Sequence, residues 1–595
     1  MITRSALLAL TLGLVSCDGR KGFSGSGLGL SSSDVVEFNL SKGVSEKGAS
    51  TLFGPVPQSS YADLLETLRK LEPKELKGVV VRLGSAHLNL AHAEELGRRF
   101  KSLRDKDIPV TCHADDLDNS TLLFTSQACS KVYLTPTGGV ESVGLAFQLL
   151  FAKSLLDKLG VGVDFLQVGK FKGAQEPYTR DEPSPEARQS VEEALSNLRN
   201  AWISGIVDGR GAAAEAVVED GPHTATKAKE LGLIDELGYL DEARSAAMVD
   251  DEAEKKKTPR VVFGGSQAQK DGDFSEVMRA LSGADGLGSS HVAVVRAVGP
   301  ITMEPSGGLT GGGDGITESQ LGKTLTKLTE AEDVKAVVLR IESPGGSALA
   351  SDLLWHKLML LREKKPLIIS VGSMAASGGY YLSCAGSRIF AERTSILGSI
   401  GVVGGKFSLG QTLSSVGVNV VTIPAAPDPV KAKRAGYLSP FDRWDDPTRA
   451  KVKEGMEAIY GTFIDRIVQG RKLEAAIVSK GAEGRIFGGA RALELQLIDE
   501  IGGLEEAIQY ALSESGLGVD GAVRVRGESA PFAELFGGDP DAQSRVSERA
   551  ERSVDPIAKL TENLPDEVKV WVDATSPMAN GENMLFVTPF AIIIR

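Results

Sequence analysis

Cysteine and histidine are scarce in this chain, which contains four cysteines and six histidines among 595 residues. The histidines show no spacing typical of metal ligands, so we predict neither a metal site nor a cofactor. No two cysteines form a CxxC pair. Three of them lie in apolar segments, as is typical of buried thiols, and we therefore expect no disulfide framework. Those three are Cys112, Cys129 and Cys384.

An excess of basic residues is also lacking. The formal net charge is −13 and no basic stripe is present, which argues against a nucleic-acid partner. Hydrophobic residues make up 42% and charged residues 24% of the chain, which is an ordinary globular composition. A chain of 595 residues exceeds the size at which a single core stops growing, so we expect two or more domains.

The N-terminal apolar segment, Ala6–Val15, follows Arg4 and is too short to cross a bilayer, which takes about 20 residues. This pattern predicts a secretory signal over residues 1–17. Its end, Leu-Val-Ser-Cys17, resembles a bacterial lipobox. That resemblance implies a lipid on Cys17 that anchors the protein in the bacterial cell envelope, with the globular part outside the cytoplasm. A plain signal peptide with an incidental cysteine is the alternative. Residues 18–49 are rich in Gly, Ser and Lys, and this composition predicts a flexible tether.

The two halves of the chain repeat each other. Lys77–Arg82 matches Lys335–Arg340, an offset of 258 (335 − 77), and Leu233–Gly238 matches Leu497–Gly502, an offset of 264 (497 − 233). Strands alternate with helical patterns in each half, which predicts an α/β fold with parallel strands. We assign one repeat to residues 50–250 and the other to residues 289–515. A linker, 251–288, separates them, and 516–595 is a C-terminal extension without an assigned role.

The most informative stretch lies in the second repeat. An apolar run, Pro366–Val371, predicts a buried strand, and the small residues of Gly372–Gly379 lead into a helical pattern. A serine at such a junction has its hydroxyl near a helix N-terminus, where free N–H groups favour developing negative charge. We therefore predict that Ser377 is a nucleophile. The plainer interpretation is that small residues let a helix pack close to a sheet.

Two further turns favour the catalytic interpretation. Gly345 and Gly346 follow the predicted strand Val337–Ile341, and a Gly-Gly turn lets backbone N–H groups approach a ligand closely, as an oxyanion hole requires. A third small turn, Leu397–Gly401, contains Ser399.

These three motifs, in this order, resemble the signal peptide peptidase SppA (protease IV) family in its long, two-repeat form. They are Ser343-Pro-Gly-Gly346, Met374-Ala-Ala-Ser-Gly-Gly-Tyr-Tyr381 and Gly398-Ser-Ile-Gly401. The resemblance covers roughly Lys77–Ala511. It implies two tandem ClpP/crotonase-like repeats and a Ser-Lys protease without a catalytic histidine.

The segment Val168–Tyr178 of the first repeat resembles the family segment that carries the general-base lysine, and the matching residue is Lys172. Lys170 lies two residues away, on the same face of a strand, and is the alternative. With Ser377 as nucleophile, the resemblance implies that N–H groups of Gly378 and of the Gly345–Gly346 turn hold the oxyanion. Ser399 is then a candidate to orient the lysine. In the first repeat, both glycine turns are lost, and the counterpart of the nucleophile, Ser120, is interpreted as a relic.

The implied function is a membrane-anchored serine endopeptidase that degrades released signal peptides and other small unfolded peptides through an acyl-enzyme. The family resemblance also implies a homo-oligomer, commonly a ring-like tetramer. Two alternatives remain. One is a catalytically inactive, membrane-tethered scaffold derived from a peptidase, and the other is a crotonase-type acyl-CoA enzyme, which would need carboxylate acid and base residues at the site.

Overall fold

The computed structural model describes residues 34–47, 50–51, 54–55, 60–71, 76–248, 258–265, 289–304, 315–526, 584–587 and 593–594. The predicted signal segment 1–17, with Cys17, lies outside the described residues, as does most of the predicted linker 251–288. Among the described residues, no helix combines the length and the apolar character needed to cross a membrane.

The first repeat is built on a parallel sheet of six strands. Its central strands are almost fully buried, because helices cover both faces of a parallel sheet. From edge to edge the strands are Glu236–Leu237, Lys131–Leu134, Val110–Ala114, Leu76–Gly84, Asp34–Asn39 and Arg260–Phe263.

The second repeat has the same strand order, again with parallel pairing. The predicted α/β class with two tandem repeats is therefore confirmed. At the end of strand Leu367–Ala376, two short strands, Ile396–Gly398 and Ile486–Gly488, widen this sheet. The six equivalent strands are Glu500–Ile501, Arg388–Ala391, Leu367–Ala376, Val334–Ser343, His291–Val298 and Ala522–Arg526.

Three strands lie outside the repeat boundaries that the sequence predicts. Asp34–Asn39 falls within the predicted tether, Arg260–Phe263 within the predicted linker, and Ala522–Arg526 within the predicted extension. Each pairs with its repeat's sheet. These short apolar strands adjoin Gly- and Ser-rich or charged stretches, so composition averaged over a longer window conceals them.

A third sheet combines strands from both repeats. Strand Gly162–Val168 of the first repeat pairs antiparallel with Val402–Ser408 of the second, with Val168 opposite Val402. The segment after Val168 is thereby carried to the turn just before Val402. The strands, in order, are Gly162–Val168, Val402–Ser408, Met584–Val587, Gly345–Ser347, Ile301–Thr302 and Ile316–Thr317.

Helices fill the connections. Helix Tyr61–Arg69 begins at a capping box that Ser60 and Asp63 form. The other α-helices are Leu90–Arg104, Asn119–Ala128, Lys153–Lys158, Glu176–Thr179, Pro185–Arg210, Ala225–Glu230, Leu240–Ala247, Glu318–Glu330, Ala348–Lys364, Gly378–Ser383, Gly410–Ser415, Pro429–Ala435, Asp446–Arg471, Ala475–Val478, Gly489–Glu494 and Leu504–Glu514.

The remaining strands are short. They are Ser50–Thr51, Gly54–Pro55, Leu117–Asp118, Gly139–Glu141, Phe147–Gln148, His223–Thr224 and Ile593–Ile594.

The two repeats share one apolar core, to which Phe100 of the first and Leu504 of the second both contribute. Buried ion pairs cross the same interface. Arg340 donates to Glu46 at 2.7 Å, and the nearby charge of Arg340 helps to hold the pKa of Glu46 at about 2 despite its burial. Such pairs are costly to break on one side only, so they fix how the repeats dock.

The expectation of three buried thiols is wrong for two of them. Cys112 lies in strand Val110–Ala114, and Cys129 ends the helix Asn119–Ala128, which packs against the same sheet. Their Cα atoms are 5.9 Å apart and their sulfurs are bonded, whereas Cys384 is a buried free thiol. Fold proximity, rather than sequence spacing, determines this pairing.

Candidate active site

Ser377 stands where strand Leu367–Ala376 meets helix Gly378–Ser383. Its φ of 55° lies in the left-handed region that non-glycine residues rarely adopt, and the residue is fully buried. Its N–H donates to the Gly398 carbonyl at 2.8 Å, which ties the elbow to the neighbouring turn. Backbone strain of this kind persists only where the surroundings enforce it, and it is common at functional sites.

Lys172 reaches Ser377 from the other repeat. It follows strand Gly162–Val168, and its Nζ lies 2.7 Å from Ser377 Oγ although the two residues are 205 positions apart. Gly484 makes room for this approach, because a Cβ there would lie 2.5 Å from the Lys172 backbone nitrogen. The sheet shared by the two repeats therefore brings the Lys172 and Ser377 side chains together.

The Lys172 amine is completely buried and contacts only neutral partners within hydrogen-bond distance. Its Nζ is 2.8 Å from both the carbonyl and the hydroxyl oxygen of Ser399. Desolvation by burial lowers the pKa of Lys172 well below its usual value. A neutral amine has two N–H donors and one lone pair. With the donors on the two Ser399 oxygens, the lone pair is available for the Ser377 hydroxyl proton.

Lys170, the alternative base, lies elsewhere. Its side chain is exposed, and its ammonium stands 4.8 Å from the centre of the Phe171 ring. Its backbone N–H donates to Glu483 at 3.1 Å. Of the two lysines, only Lys172 is brought to Ser377.

The two glycine turns face each other beside Ser377. A Cβ on Gly378 would lie 3.2 Å from the Gly345 Cα and 2.8 Å from Ser351 Oγ, so Gly378 has no room for a side chain. Gly378 opens a helix, where N–H groups have no intrahelical partner. The Gly345 N–H already donates to Ser343 Oγ at 3.2 Å. The predicted oxyanion donors thus lie together, with the Gly345 amide partly engaged.

Ser399 adjoins both predicted catalytic residues. It is fully buried, has a φ of 55°, and its N–H donates to the Arg485 carbonyl at 2.5 Å. This anchor fixes the turn so that both Ser399 oxygens point at the Lys172 amine.

The corresponding positions of the first repeat form a different cluster. Ser120 donates to Asp118 at 2.8 Å and accepts from the Leu88 N–H at 3.2 Å. Ser142, the counterpart of Ser399, donates to the Val218 carbonyl at 2.6 Å. Both hydroxyls are used to hold local structure, as expected for a relic.

Two contributors to the site were missed from the sequence. Met584–Val587, from the C-terminal extension, lies beside the Gly345–Ser347 strand, and the Ser399 hydroxyl donates to the Val587 carbonyl at 3.4 Å. The loop with Gly484 and Arg485 anchors Lys172 and Ser399. The apolar run at 584–587 could have indicated a strand, but no pattern indicates its partner.

Within the part of the chain that the structure describes, no three His, Cys, Asp or Glu side chains lie close enough together to hold a metal ion. The groups that meet at this site are the Ser377 hydroxyl, the Lys172 amine and backbone amides.

Known proteins resemble this chain over most of its length. The model of Peptidase family S49 matches residues 102–254 and 359–518. The chloroplastic serine protease SPPA of Arabidopsis thaliana is 31% identical over 74% of this chain, which spans 63% of that protein. Protease 4 of Haemophilus influenzae is 29% identical over 74% of this chain and 70% of its own length. Protease 4 of Salmonella typhi is 29% identical over 76% of this chain and 72% of its own length. The solved structure of a ClpP1 mutant from Listeria monocytogenes aligns with 36% of this chain and 94% of its own chain. The sequence identity is 13% and the TM-score is 0.23.

Proposed function

Because this chain belongs to peptidase family S49, we propose that it is a serine endopeptidase with Ser377 as nucleophile and Lys172 as general base. The observation that carries the proposal is the 2.7 Å contact between Lys172 Nζ and Ser377 Oγ in a fully buried setting. A serine hydroxyl is a weak nucleophile until a base removes its proton, and a lysine can do so only when uncharged. Burial without a carboxylate partner supplies that condition.

The reaction then has two halves. Lys172 takes the Ser377 proton as Oγ bonds to the peptide carbonyl carbon, and the resulting ammonium returns the proton to the leaving amine as the C–N bond breaks. Water, deprotonated by the same lysine, hydrolyses the acyl-enzyme and restores Ser377. Ser399 holds the amine in place throughout through its two oxygens.

Backbone amides would stabilise the oxyanion in both halves. Gly378 and the Gly345–Gly346 turn are the proposed donors. Removal of one such donor typically costs about 3 kcal/mol of transition-state stabilisation. Because the Gly345 N–H is engaged by Ser343 and Gly346 is paired in the sheet with Ile301 and Phe586, Gly378 is the strongest candidate.

We further propose that the substrates are released signal peptides and other small unfolded peptides. Apolar side chains beside the site, Phe165, Ala174 and Val403, support this, because they would accept the apolar residues of such peptides. The buried position of Ser377 and Lys172 also favours thin, extended substrates over folded ones.

Hydrolysis of a fluorogenic peptide with an apolar P1 residue tests the assignment. The enzyme is compared with Ser377→Ala, Lys172→Ala, Lys170→Ala and Ser120→Ala. We expect the first two variants to lose turnover and the other two to keep it. If Lys170→Ala lost turnover and Lys172→Ala kept it, the assignment of Lys172 as the base would be rejected. Equal turnover in all five would reject the Ser-Lys mechanism, and absence of turnover in all five would favour the inactive scaffold.

We propose that the protein assembles with copies of itself. Residues 409–441 carry an exposed apolar surface, in which Val416, Val421 and Ile423 are 73%, 78% and 89% exposed. Surfaces of this kind mark interaction sites. A ring of copies, as the family resemblance implies, would cover it. Light scattering should show an oligomer that Ile423→Asp dissociates, while Val519→Asp, a control at a 71% exposed valine elsewhere, leaves it intact. An unchanged mass would reject this surface as the interface.

We also propose that a lipid on Cys17 anchors the protein to the membrane outside the cytoplasm of a bacterium. The lipobox-like sequence before Cys17 supports the lipid, and the Cys112–Cys129 disulfide supports an oxidising compartment. Labelling with radioactive fatty acid should mark the wild type but not Cys17→Ala. That variant should also no longer be found in the membrane fraction. Retention of label by the variant would reject the proposal.

A further inference from the structure

Arg485 contacts the surroundings of both Lys172 and Ser399. It ends the loop before strand Ile486–Gly488, and its carbonyl accepts the Ser399 N–H at 2.5 Å. Its guanidinium carbon lies 3.7 Å from the centre of the Phe171 ring. Phe171 immediately precedes Lys172 in the chain. One residue therefore contacts both the segment that carries the proposed base and the residue that orients it.

The contact with Phe171 is a close stack that excludes water, since Phe171 is only 2% exposed. A guanidinium over an aromatic ring is attracted by the negative face of the ring, and the attraction is larger where water is excluded. The guanidinium of Arg485 is also planar, so it can lie flat on the ring in a way that a lysine ammonium cannot. The stack therefore holds the Phe171 ring against the loop.

The main chain of Lys172 packs on the same loop. A Cβ on Gly484 would lie 2.5 Å from the Lys172 nitrogen, so the two backbones touch. The Gly484 N–H donates to the Ile400 carbonyl, in the turn that contains Ser399, at 2.8 Å. Loop Glu483–Arg485 thus contacts the lysine segment and the serine turn together. A shift of about 1 Å in a reacting group can cost about 100-fold in rate, so the packing of this loop bears directly on the amine.

Other charged groups around the Phe171 ring allow stacking to be separated from charge. Arg485 pairs with Glu193 of the first repeat at 3.2 Å, but the Glu193 side chain is 45% exposed, and exposed ion pairs contribute little. The exposed Lys170 ammonium stands 4.8 Å from the centre of the same ring. The Glu483 carboxylate, also on an exposed residue, accepts the Lys170 N–H at 3.1 Å. The ring therefore meets two cations, one half-buried in the loop and one exposed.

We propose that Arg485 is a positioning residue that keeps the Lys172 amine at its distance from Ser377 by holding Phe171 and Ser399 at once. This inference rests on the proposed function, because it concerns the base of that same site. The carbonyl of Arg485 fixes Ser399, and its stacked side chain fixes the ring next to the base. The amine itself contacts neutral partners within hydrogen-bond distance, so its place depends on how these neighbours are held.

Steady-state hydrolysis of the fluorogenic peptide by the full chain tests the stack. Arg485→Met keeps an apolar stem and removes the planar cation, and we expect kcat to fall about tenfold with KM within about twofold. Lys170→Met is the matched control, because it removes the other cation from the same ring. Glu193→Gln removes the ion pair alone, and both controls should keep kcat within about twofold of wild type. Wild-type kcat in Arg485→Met would overturn the inference, and so would an equal loss in either control.

The pH profile of kcat/KM separates positioning from a merely structural role. Burial holds the pKa of Lys172 well below its usual value, and water that reaches a loosened amine would raise that pKa. The acidic limb of the profile should therefore move to higher pH in Arg485→Met and stay in place in Lys170→Met. A limb that does not move in Arg485→Met would overturn the inference, because lower stability alone changes the amount of folded enzyme and not the titration of its base.

Phe171→Leu gives an independent measurement, since it removes the ring and keeps an apolar side chain. It should lose about as much kcat as Arg485→Met, and the double variant should lose no more than about twofold beyond either one. Losses that multiply in the double variant would overturn the stack as the cause.

If Arg485→Met fails to fold, Arg485→Lys decides. An ammonium cannot reproduce the planar stack, so a kcat lowered about threefold or more supports the inference, and a wild-type kcat overturns it. Failure of the proposed function is distinct, since wild type and Ser377→Ala would then be equally inactive.

Discussion

Removal of the Ser399 hydroxyl is the sharpest test of how the lysine is held. In Ser399→Ala the Lys172 amine keeps the backbone carbonyl at 2.8 Å and loses the hydroxyl oxygen at 2.8 Å. One of its two N–H donors is then left without a partner in a buried site. A lost hydrogen bond of this kind costs about 1 to 2 kcal/mol. We expect kcat to fall about 5- to 30-fold, because the loss acts on the orientation of the base.

The pH profile separates this role from a structural one. The Ser399 hydroxyl oxygen stabilises the lysine ammonium by accepting its hydrogen bond, so its removal lowers the pKa of Lys172 further. The acidic limb of the kcat/KM profile should therefore move to lower pH in Ser399→Ala. Ser142→Ala is the matched control, because Ser142 is the equally buried counterpart in the first repeat. Wild-type kcat in Ser399→Ala, or an equal loss in Ser142→Ala, would refute the reasoning.

Four more measurements test the site and the fold. Because burial lowers the pKa of Lys172, wild-type kcat/KM should keep its value well below pH 10 and fall only as pH falls through that lowered pKa, and a profile that already falls near the ordinary lysine pKa of about 10.4 would contradict this. A folded-state pKa below the unfolded value means that stability rises with pH between the two, so the unfolding free energy of wild type relative to Lys172→Met should increase towards pH 10; a pH-independent difference in urea unfolding would contradict it. Gly346→Ala places a Cβ 2.1 Å from the Ile301 carbonyl oxygen and should reduce kcat by about 100-fold or more, whereas Gly461→Ala, with open space around it, should be neutral. Cys112→Ala should lower the unfolding free energy by about 2 to 4 kcal/mol in urea, and wild type with reductant should match it.

Local patterns in the sequence were enough to predict the repeats and the strand-to-helix elbow. The strand before Ser377, however, extends to Ala376 rather than ending at Val371. This difference arises because the small residues from Gly372 continue the pairing, with Ala375 opposite Ser343. Composition alone does not distinguish a small-residue strand from a turn.

Contacts between distant segments could not be predicted in this way. The residues alone could not predict the contact between Lys172 and Ser377, because that contact depends on the register between Gly162–Val168 and Val402–Ser408. The Cys112–Cys129 bond likewise depends on a helix that packs across the strand holding its partner. In both cases the deciding geometry comes from packing between elements, which leaves no periodic signal in either segment.

In the proposed mechanism, the need for an uncharged lysine would explain why the candidate active site is built from two repeats. A lysine on the same repeat as the serine would have to be buried within a single sheet's own loops, close to solvent at the strand ends. Here Lys172 follows a strand of the first repeat that pairs with the second repeat, so the amine is desolvated only when the repeats dock. The buried Arg340–Glu46 pair and the shared core around Phe100 and Leu504 hold that docking. In that mechanism the first repeat would be required for catalysis even without glycine turns of its own, because burial of the proposed base depends on it.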